Sequence, residues 1–123
     1  MSGPDDSLAT TLERLAQDQN TCTLAEFQQM ADEIQAEEAF ERAVTRAEAL
    51  ANDKRLLTLA LLAEHGSLCA CEIQAALDCT NPTVSHHMGC LQTADLVEAH
   101  KRGKWKHYEL TDDGHRLYEE VTR

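Results

Sequence analysis

The chain has 123 residues, enough for one compact domain with a single hydrophobic core, and it carries a formal net charge of −11. No apolar run reaches the ~18 residues of a membrane span. The polar, acidic start of the chain is also unlike a signal peptide, so we expect a cytoplasmic protein. Five cysteines, an odd number, argue against a disulfide framework in that compartment and leave metal binding, redox sensing or burial as their roles.

The acidic and basic residues are unevenly distributed along the chain. Residues 1–50 contain 11 acidic and 3 basic residues, whereas Glu98–Tyr108 contains four basic residues and one acidic residue. A local basic segment on an acidic body can still attract phosphates. Abundant acid combined with few lysines elsewhere is typical of proteins from a very salty cytoplasm, so we predict a halophilic, haloarchaeal origin.

Helices are predicted over most of the first 50 residues. Leucines at helical spacing predict a first helix over about residues 7–18, followed by a break at Asp18–Thr23. Thr23 with Glu26 three residues later has a capping-box pattern, which predicts the start of a long helix. The acidic run Ala31–Glu41 is expected to be a solvated face of that helix. Its apolar stripes suit close helix packing, within the chain or across a dimer: Phe27, Met30, Ala31, Ile34, Phe40, Ala43, Val44, Ala47 and Leu50.

A helix-turn-helix is predicted in the middle of the chain. Asn52 or Asp53 can cap a helix that is apolar nearly all round and should therefore lie at the centre of the core, with Gly66 at its end. An extended segment, Leu68–Cys71, leads into a short helix over Glu72–Asp78. Asn81 is expected to cap a second helix that has Pro82 in its first turn and runs to about Thr93.

A two-stranded hairpin and a final helix complete the predicted elements. Val97–His100 and Trp105–Leu110 read as strands joined by the basic loop Lys101–Lys104, and Thr111 caps a helix over about Asp112–Val121. The fold class is therefore mainly α with a small β-hairpin wing (α+β), a winged helix-turn-helix.

A helix-turn-helix with a basic wing indicates a DNA-binding module. The exposed start of the second helix offers side chains that can contact base edges or phosphates: Asn81, Thr83, Ser85 and His86. The wing offers Lys101, Arg102 and Lys104 to phosphates or the minor groove, with a solvated hairpin tip as the alternative. Val84, Met88 and Leu91 should face the core, and Trp105 and Tyr108 should pack the wing onto the body.

The Cys69-x-Cys71 pair lies at the front edge of this module. Residues two apart share a face on extended backbone but point about 200° apart on an ideal helix. A pair at a strand-to-helix junction can therefore chelate a soft ion if the first helical turn yields. The alternative from the spacing alone is two buried thiols that pack as small apolar groups.

From Ala47 to Gly114 the chain resembles the ArsR/SmtB family of winged-helix, metal(loid)-responsive repressors. The matching segments follow the family's order and spacing: Leu50–Leu56, Leu68–Ile73, Thr83–Met88 and Arg102–Leu110. The resemblance implies a homodimeric repressor that binds an operator in double-stranded DNA without any cofactor and leaves it when an inducer binds. It also implies two regions, residues 1–46 as an N-terminal helical extension and dimerisation arm, and residues 47–123 as the winged helix-turn-helix domain with its C-terminal helix.

The same resemblance implies that Cys69 and Cys71 bind the inducer, most readily As(III) or Sb(III). Arsenic-responsive members often have a third cysteine where this chain has Gln74, so Cys22 from the N-terminal arm is the candidate third ligand. Cys79 and Cys90 stand where the family has apolar residues and are expected in the core. His86 replaces the family's usual arginine.

Asp113 and His115 match half of the family's zinc site on the last helix. The second half should follow some ten residues later, beyond Arg123, so we expect these two polar residues to face solvent rather than bind a metal.

Two alternatives remain open. Oxidation of Cys22, or of the Cys69/Cys71 pair, would make the same module a redox-responsive regulator. A helical interaction or adaptor protein with a degenerate winged helix would explain the acidic surface, although the basic wing opposes it. An enzyme is not expected, because the chain has no phosphate loop, nucleophile elbow or deaminase signature.

Overall fold

A computed structural model describes residues 6–17 and 23–123, which divide into two compact units meeting in sequence at Glu41 and Arg42. The first unit contains helices α1 (Asp6–Gln17) and α2 (Leu24–Gln35). The predicted capping box at the start of α2 is confirmed. The Glu26 N–H donates to the Thr23 hydroxyl at 3.2 Å, and the Thr23 N–H donates to the Glu26 carboxylate at 3.3 Å.

The single long helix predicted after Thr23 was wrong. The chain forms two helices, α2 and α3 (Glu38–Leu50), and between them the Glu37 N–H donates to the Ile34 carbonyl instead of continuing the helical spacing. In a continuous helix, carboxylates four residues apart in this acidic run would repel each other. The break places Glu38 and Glu41 in the first turn of α3, where the helix dipole favours negative charge. The acidic run itself is exposed, as predicted.

Helix α4 (Asp53–His65) is the centre of the second unit and contacts the three helices and two strands that follow it. Asn52 caps it, because its side-chain oxygen accepts from the N–H groups of Lys54 and Arg55 at 2.9 and 3.2 Å. Gly66 ends it with φ of 93°. The helix lies at the centre of the core, as predicted, but it is not buried on every side. Thr58, Leu59 and Leu62 are fully buried, but Leu57 is 45% exposed because all the neighbours of α4 within this unit pack on its other sides.

The helix-turn-helix consists of α5 (Ala70–Leu77) and α6 (Asn81–Thr93), joined through Asp78 in a left-handed conformation. The N-cap of α6 is Thr80 rather than Asn81. The Thr80 carbonyl accepts the first helical bond, from the Val84 N–H at 3.0 Å, so Asn81 is already helical. Threonine is itself a good cap, and proline is tolerated throughout the first turn, where the N–H that it lacks has no helical partner.

The wing is part of a three-stranded antiparallel sheet, whereas only its hairpin was predicted. Strands β1 (Ser67–Cys69), β2 (Val97–Arg102) and β3 (Trp105–Leu110) lie in the order β1-β3-β2. Strand β2 extends two residues further than predicted, which leaves a turn of Gly103 and Lys104 only, with Gly103 at φ of 63°. Glycine adopts this conformation without strain.

Alternation along the strands gives the sheet a core face and an outer face. On the core face Leu68, Val97, Tyr108 and Leu110 are buried and Ala99 is half-buried. The same face ends near the turn in the exposed pair Lys101 and Lys106. The outer face carries Ser67, Cys69, Glu98, His100, Arg102, Trp105, His107 and Glu109. Tyr108 packs the wing onto the body as predicted, with 5% exposure. Trp105, at 60% exposure, does not, because it lies beside the turn on the outer face.

Helix α7 (Asp112–Thr122) closes the second unit. Thr111 caps it as predicted, accepting from the Gly114 N–H at 2.9 Å. Gly114 lies directly against the Leu96 carbonyl, so any larger residue there would collide with backbone. Arg46 of α3 fixes the start of α7 by donating to Asp113 at 2.7 Å and to the Ala94 carbonyl at 3.3 Å. No helix within residues 6–17 and 23–123 is long and apolar enough to cross a membrane.

Candidate nucleic-acid interface and thiol site

Helix α6 has a buried face and an exposed face of opposite chemistry. Val84, Met88 and Leu91 are buried, as predicted. The four residues predicted to contact DNA, Asn81, Thr83, Ser85 and His86, are all exposed on the other side. The helix therefore presents a row of small hydrogen-bonding groups, as a reading helix in the major groove does.

A buried histidine ties this helix to the rest of the second unit. His87 is 8% exposed, and its Nδ1 lies 3.1 Å from a guanidinium nitrogen of Arg55. Arg55 also donates to the Ala49 and Glu48 carbonyls at the end of α3, at 2.8 and 3.0 Å. Burial, followed by the charge of Arg55, lowers the pKa of His87, so the imidazole is neutral and accepts a hydrogen bond from Arg55.

The wing presents its positive charge at the hairpin tip. Lys101, Arg102 and Lys104 are all exposed, at the end of β2 and in the two-residue turn. Arg102 is paired in register with Trp105 across the hairpin. The tip can therefore reach phosphates without rearrangement of the sheet.

The two cysteines of the Cys-x-Cys pair lie on different kinds of backbone, which corrects the extended segment predicted for Leu68–Cys71. Cys69 ends β1 and is the extended N-cap of α5, whereas Cys71 is in the first turn of α5. The side chains of Cys69 and Cys71 are nevertheless neighbours, because the Cys71 thiol contributes to the shifted pKa of Cys69.

The surroundings of the pair combine a shielded thiol with an accessible one. Cys69 is 8% exposed, whereas Cys71 is exposed. The neighbouring Cys71 thiol, followed by burial, raises the pKa of the Cys69 thiol. The Cys69 N–H donates to the Glu72 carboxylate at 2.9 Å, and this bond lowers the pKa of Glu72. Within the described residues, no third histidine, cysteine or carboxylate joins the two sulfurs in a compact metal-ligand group.

The remaining thiols are separate from this pair. Cys22 lies outside the described residues. Cys79 is half-buried against the core, broadly as predicted. Cys90 is not a core residue. It is half-buried and lines an open cleft of about 530 Å³ with Glu48, Arg55 and His86, its Sγ 3.8 Å from His86 Nε2. Cys90 lies four residues after His86, on the flank of α6, and not on the face formed by Val84, Met88 and Leu91.

The C-terminal pair Asp113 and His115 does not form a metal-ligand group in the described structure. Hydrogen bonds from Arg46, and then from Arg116, lower the pKa of Asp113, and His115 is exposed. His115 therefore faces solvent as expected, whereas Asp113 is half-buried and engaged by two arginines.

One group of potential ligands escaped the sequence interpretation. Glu98, His100 and Glu109 lie on the outer face of the sheet with a ligand atom of each within 4.8 Å of the other two. His100 Nε2 is 2.6 Å from the Glu109 carboxylate and 3.6 Å from that of Glu98. The available signal was the pattern Glu-x-His on one strand facing His-x-Glu on the other.

The reading helix and the basic wing together define a winged helix-turn-helix DNA-binding regulator. Residues 52–99 match the model of the family described as bacterial regulatory protein, arsR family. The chain is 42% identical over 76 residues to an uncharacterized HTH-type transcriptional regulator of Methanocaldococcus jannaschii. The aligned segment covers 62% of this chain and 85% of that regulator. The chain belongs to the ArsR family of transcriptional regulators, which confirms the resemblance and the expectation that it is not an enzyme.

Two further relatives carry more specific descriptions. The chain is 42% identical over 62 residues to the arsenical resistance operon repressor of Escherichia coli, covering 50% of this chain and 53% of the repressor. The solution structure of a homodimeric winged helix-turn-helix DNA-binding domain from Mycobacterium bovis, a possible ArsR-family regulator, aligns with a TM-score of 0.64 at 30% identity. That alignment covers 68% of this chain and 78% of the other.

Proposed function

We propose that the protein is a homodimeric transcriptional repressor that leaves its operator when a soft, thiophilic ion, As(III) or Sb(III), binds Cys69 and Cys71. The observation that carries the proposal is the position of the two neighbouring thiols at the start of α5, one at its N-cap and one in its first turn, ahead of the reading helix. Soft thiolates favour soft ions over hard cations. The similarity to an arsenical resistance repressor supports the same class of ligand.

Ligand binding at this pair is mechanically connected to both DNA-contacting elements. Cys69 terminates β1, which pairs with β3 of the wing, and it also caps α5, which leads through Asp78 into α6. An ion bound to both sulfurs, with release of the two thiol protons, would link the N-cap of α5 to its first turn and change the geometry there. A change there tilts the reading helix relative to the wing, and DNA affinity depends on both being in register.

The third ligand is proposed to be Cys22 from the N-terminal arm. Two thiols leave a trivalent ion one donor short, and Gln74, in the next turn of α5, offers only an amide. The homodimer is supported by the similar M. bovis domain and by apolar side chains of α3 that are exposed in the single chain, Phe40 and Val44.

The test is fluorescence anisotropy of labelled DNA from the region upstream of the protein's own gene, with reduced protein and an arsenite titration. Wild type should release DNA, Cys69→Ser/Cys71→Ser should bind DNA but ignore arsenite, and Cys22→Ser should require more arsenite. Cys79→Ser is the matched control and should behave as wild type.

Two other results would replace the proposal. DNA binding that ignores arsenite but is lost with an oxidant and restored by dithiothreitol would identify the redox-responsive regulator. Absence of DNA binding from low salt up to molar potassium chloride would favour the adaptor protein.

A further inference from the structure

The outer face of the wing carries a block of four potential metal ligands in two facing pairs. Residues Glu98-Ala-His100 of β2 run antiparallel to His107-Tyr-Glu109 of β3, and the register places Glu98 opposite Glu109 and His100 opposite His107. Because side chains alternate across a strand, all four lie on the same face. The sequence pattern and the strand register together produce this block.

Three of these ligands already converge. Glu98, His100 and Glu109 present ligand atoms within 4.8 Å of one another, and His100 Nε2 lies between the two carboxylates. Donor atoms around a tetrahedral zinc ion are about 3.3 Å apart, given metal–ligand bonds of about 2.0 Å. Side-chain rotations that bring these atoms closer would complete the geometry. His107 lies opposite His100 in the register and is the candidate fourth donor, outside the group that already converges.

Repulsion between the two carboxylates of this block favours the binding of a cation. Like charges directly opposite each other on neighbouring strands destabilise a sheet. Glu98 and Glu109 are such a pair, with only the His100 imidazole between them. All three side chains are at least 36% exposed, so an ion from solvent can reach them.

We propose that Glu98, His100 and Glu109, with His107, form a binding site for a divalent first-row transition metal such as Zn²⁺. Mixed imidazole and carboxylate donors suit borderline divalent ions, whereas the Cys69/Cys71 pair suits soft thiophilic ones. The wing site is therefore distinct in chemistry from the thiol site, although Cys69 is paired with His107 across β1 and β3.

The position of this site determines the sign of its effect on DNA. His100 immediately precedes Lys101 and Arg102 at the wing tip. A divalent ion cancels the two carboxylate charges beside these cations, so the wing attracts phosphates more strongly. The metal should tighten DNA binding, opposite to the effect proposed for the thiol ligand. This regulatory part rests on the proposed DNA-binding function, whereas the metal site itself does not.

The binding test follows imidazole nitrogen resonances of isotope-labelled protein by NMR during a Zn²⁺ titration. The His100 resonances should shift and saturate at one Zn²⁺ per chain, with His107 responding in step. His100→Gln keeps both carboxylates but should weaken Zn²⁺ binding at least tenfold, and His115→Gln, the same change on exposed α7, should have no effect. If Zn²⁺ binds elsewhere and the His100 resonances do not shift, His100 forms only an ion pair with the carboxylates, and the proposed metal site is wrong.

The DNA test compares operator affinity with and without Zn²⁺ at about 0.1 M salt. Wild type should bind about fivefold more tightly with Zn²⁺, because two nearby negative charges are neutralised. Glu98→Gln/Glu109→Gln should be tight without metal and unresponsive to it, and His100→Gln should stay at the metal-free affinity. Zn²⁺ binding with unchanged affinity would refute the charge coupling, and absence of any DNA binding would refute the proposed function while leaving the NMR result intact.

Discussion

The two faces of the three-stranded sheet are formed by alternate residues of the same strands and have opposite roles. The core face, with Leu68, Tyr108 and Leu110, is 5–7% exposed and packs on the helices. The outer face carries a thiol, two imidazoles and two carboxylates within two adjacent rows of the register. The wing therefore packs on the helices through one face, and the Glu98, His100 and Glu109 side chains of the other face remain accessible.

The strongest predicted effect is on the free energy of unfolding. Substitutions at two adjacent residues of β3, one on each face of the sheet, should differ in their cost. Tyr108→Ala should destabilise the protein by about 3–5 kcal/mol, because a buried aromatic side chain leaves a cavity. His107→Ala should cost less than about 1 kcal/mol, since surface substitutions have small effects. Chemical denaturation of both variants measures the difference, and equal losses would show that the outer face is as tightly packed as the core face.

The next effect concerns the hairpin tip, where positively charged side chains are exposed. Lys101→Gln/Lys104→Gln should weaken operator binding about tenfold. The same change should reduce the slope of log affinity against log salt by about 2, one for each phosphate that is no longer neutralised. Arg116→Gln/Arg123→Gln removes the same charge from α7 and should leave the slope unchanged. Anisotropy over a salt series gives both slopes, and a parallel decrease in both variants would indicate a non-specific charge effect.

A weaker effect comes from buried His87, which contrasts with the accessible histidines of the outer face. Its pKa is lowered in the folded protein, so the unfolded chain binds more protons and stability falls as the pH drops below the ordinary value of 6.5. Lys54, Arg55 and His86 oppose its protonation, and Asp53 favours it.

The melting temperature of the wild type should therefore fall between pH 7.5 and pH 5, and that of His87→Gln should fall less steeply. Glu72 and Asp113 also have lowered pKa values, but as carboxylates they lose their contribution only below about pH 4.5, outside this window. An unchanged slope in the variant would assign the decline to other groups.

The weakest predicted effect tests whether the thiol pair is retained for ligand binding at the expense of stability. Serine is a much better N-cap than cysteine and would complete a capping box with Glu72, so Cys69→Ser should stabilise the protein by about 0.5–1 kcal/mol. Cys71→Ser, inside the helix, should change little. Urea denaturation of reduced protein distinguishes them, and destabilisation by Cys69→Ser would instead make Cys69 a packing residue.

Local patterns in the sequence were sufficient for most of the elements and for the family. The caps at Thr23, Asn52 and Thr111, the turn at Gly66, and the buried positions of α6 depend on interactions within a few residues, so sequence alone predicts them. Cap choice at Thr80, the break before α3 and the partial exposure of Cys90 were missed, because each depends on a competition between neighbouring candidates that local rules do not resolve.

A winged helix-turn-helix regulator with a Cys-x-Cys pair ahead of its reading helix follows from the residues and their order. Three features required the folded chain: β1 joins the wing, Cys69 and Cys71 lie on different backbone at the start of α5, and the Glu98, His100 and Glu109 side chains converge. Helical periodicity and capping depend on residues three or four apart, so they can be predicted from the sequence. Strand register, in contrast, joins segments that are distant along the chain, such as Cys69 and His107, through backbone hydrogen bonds that leave no local pattern.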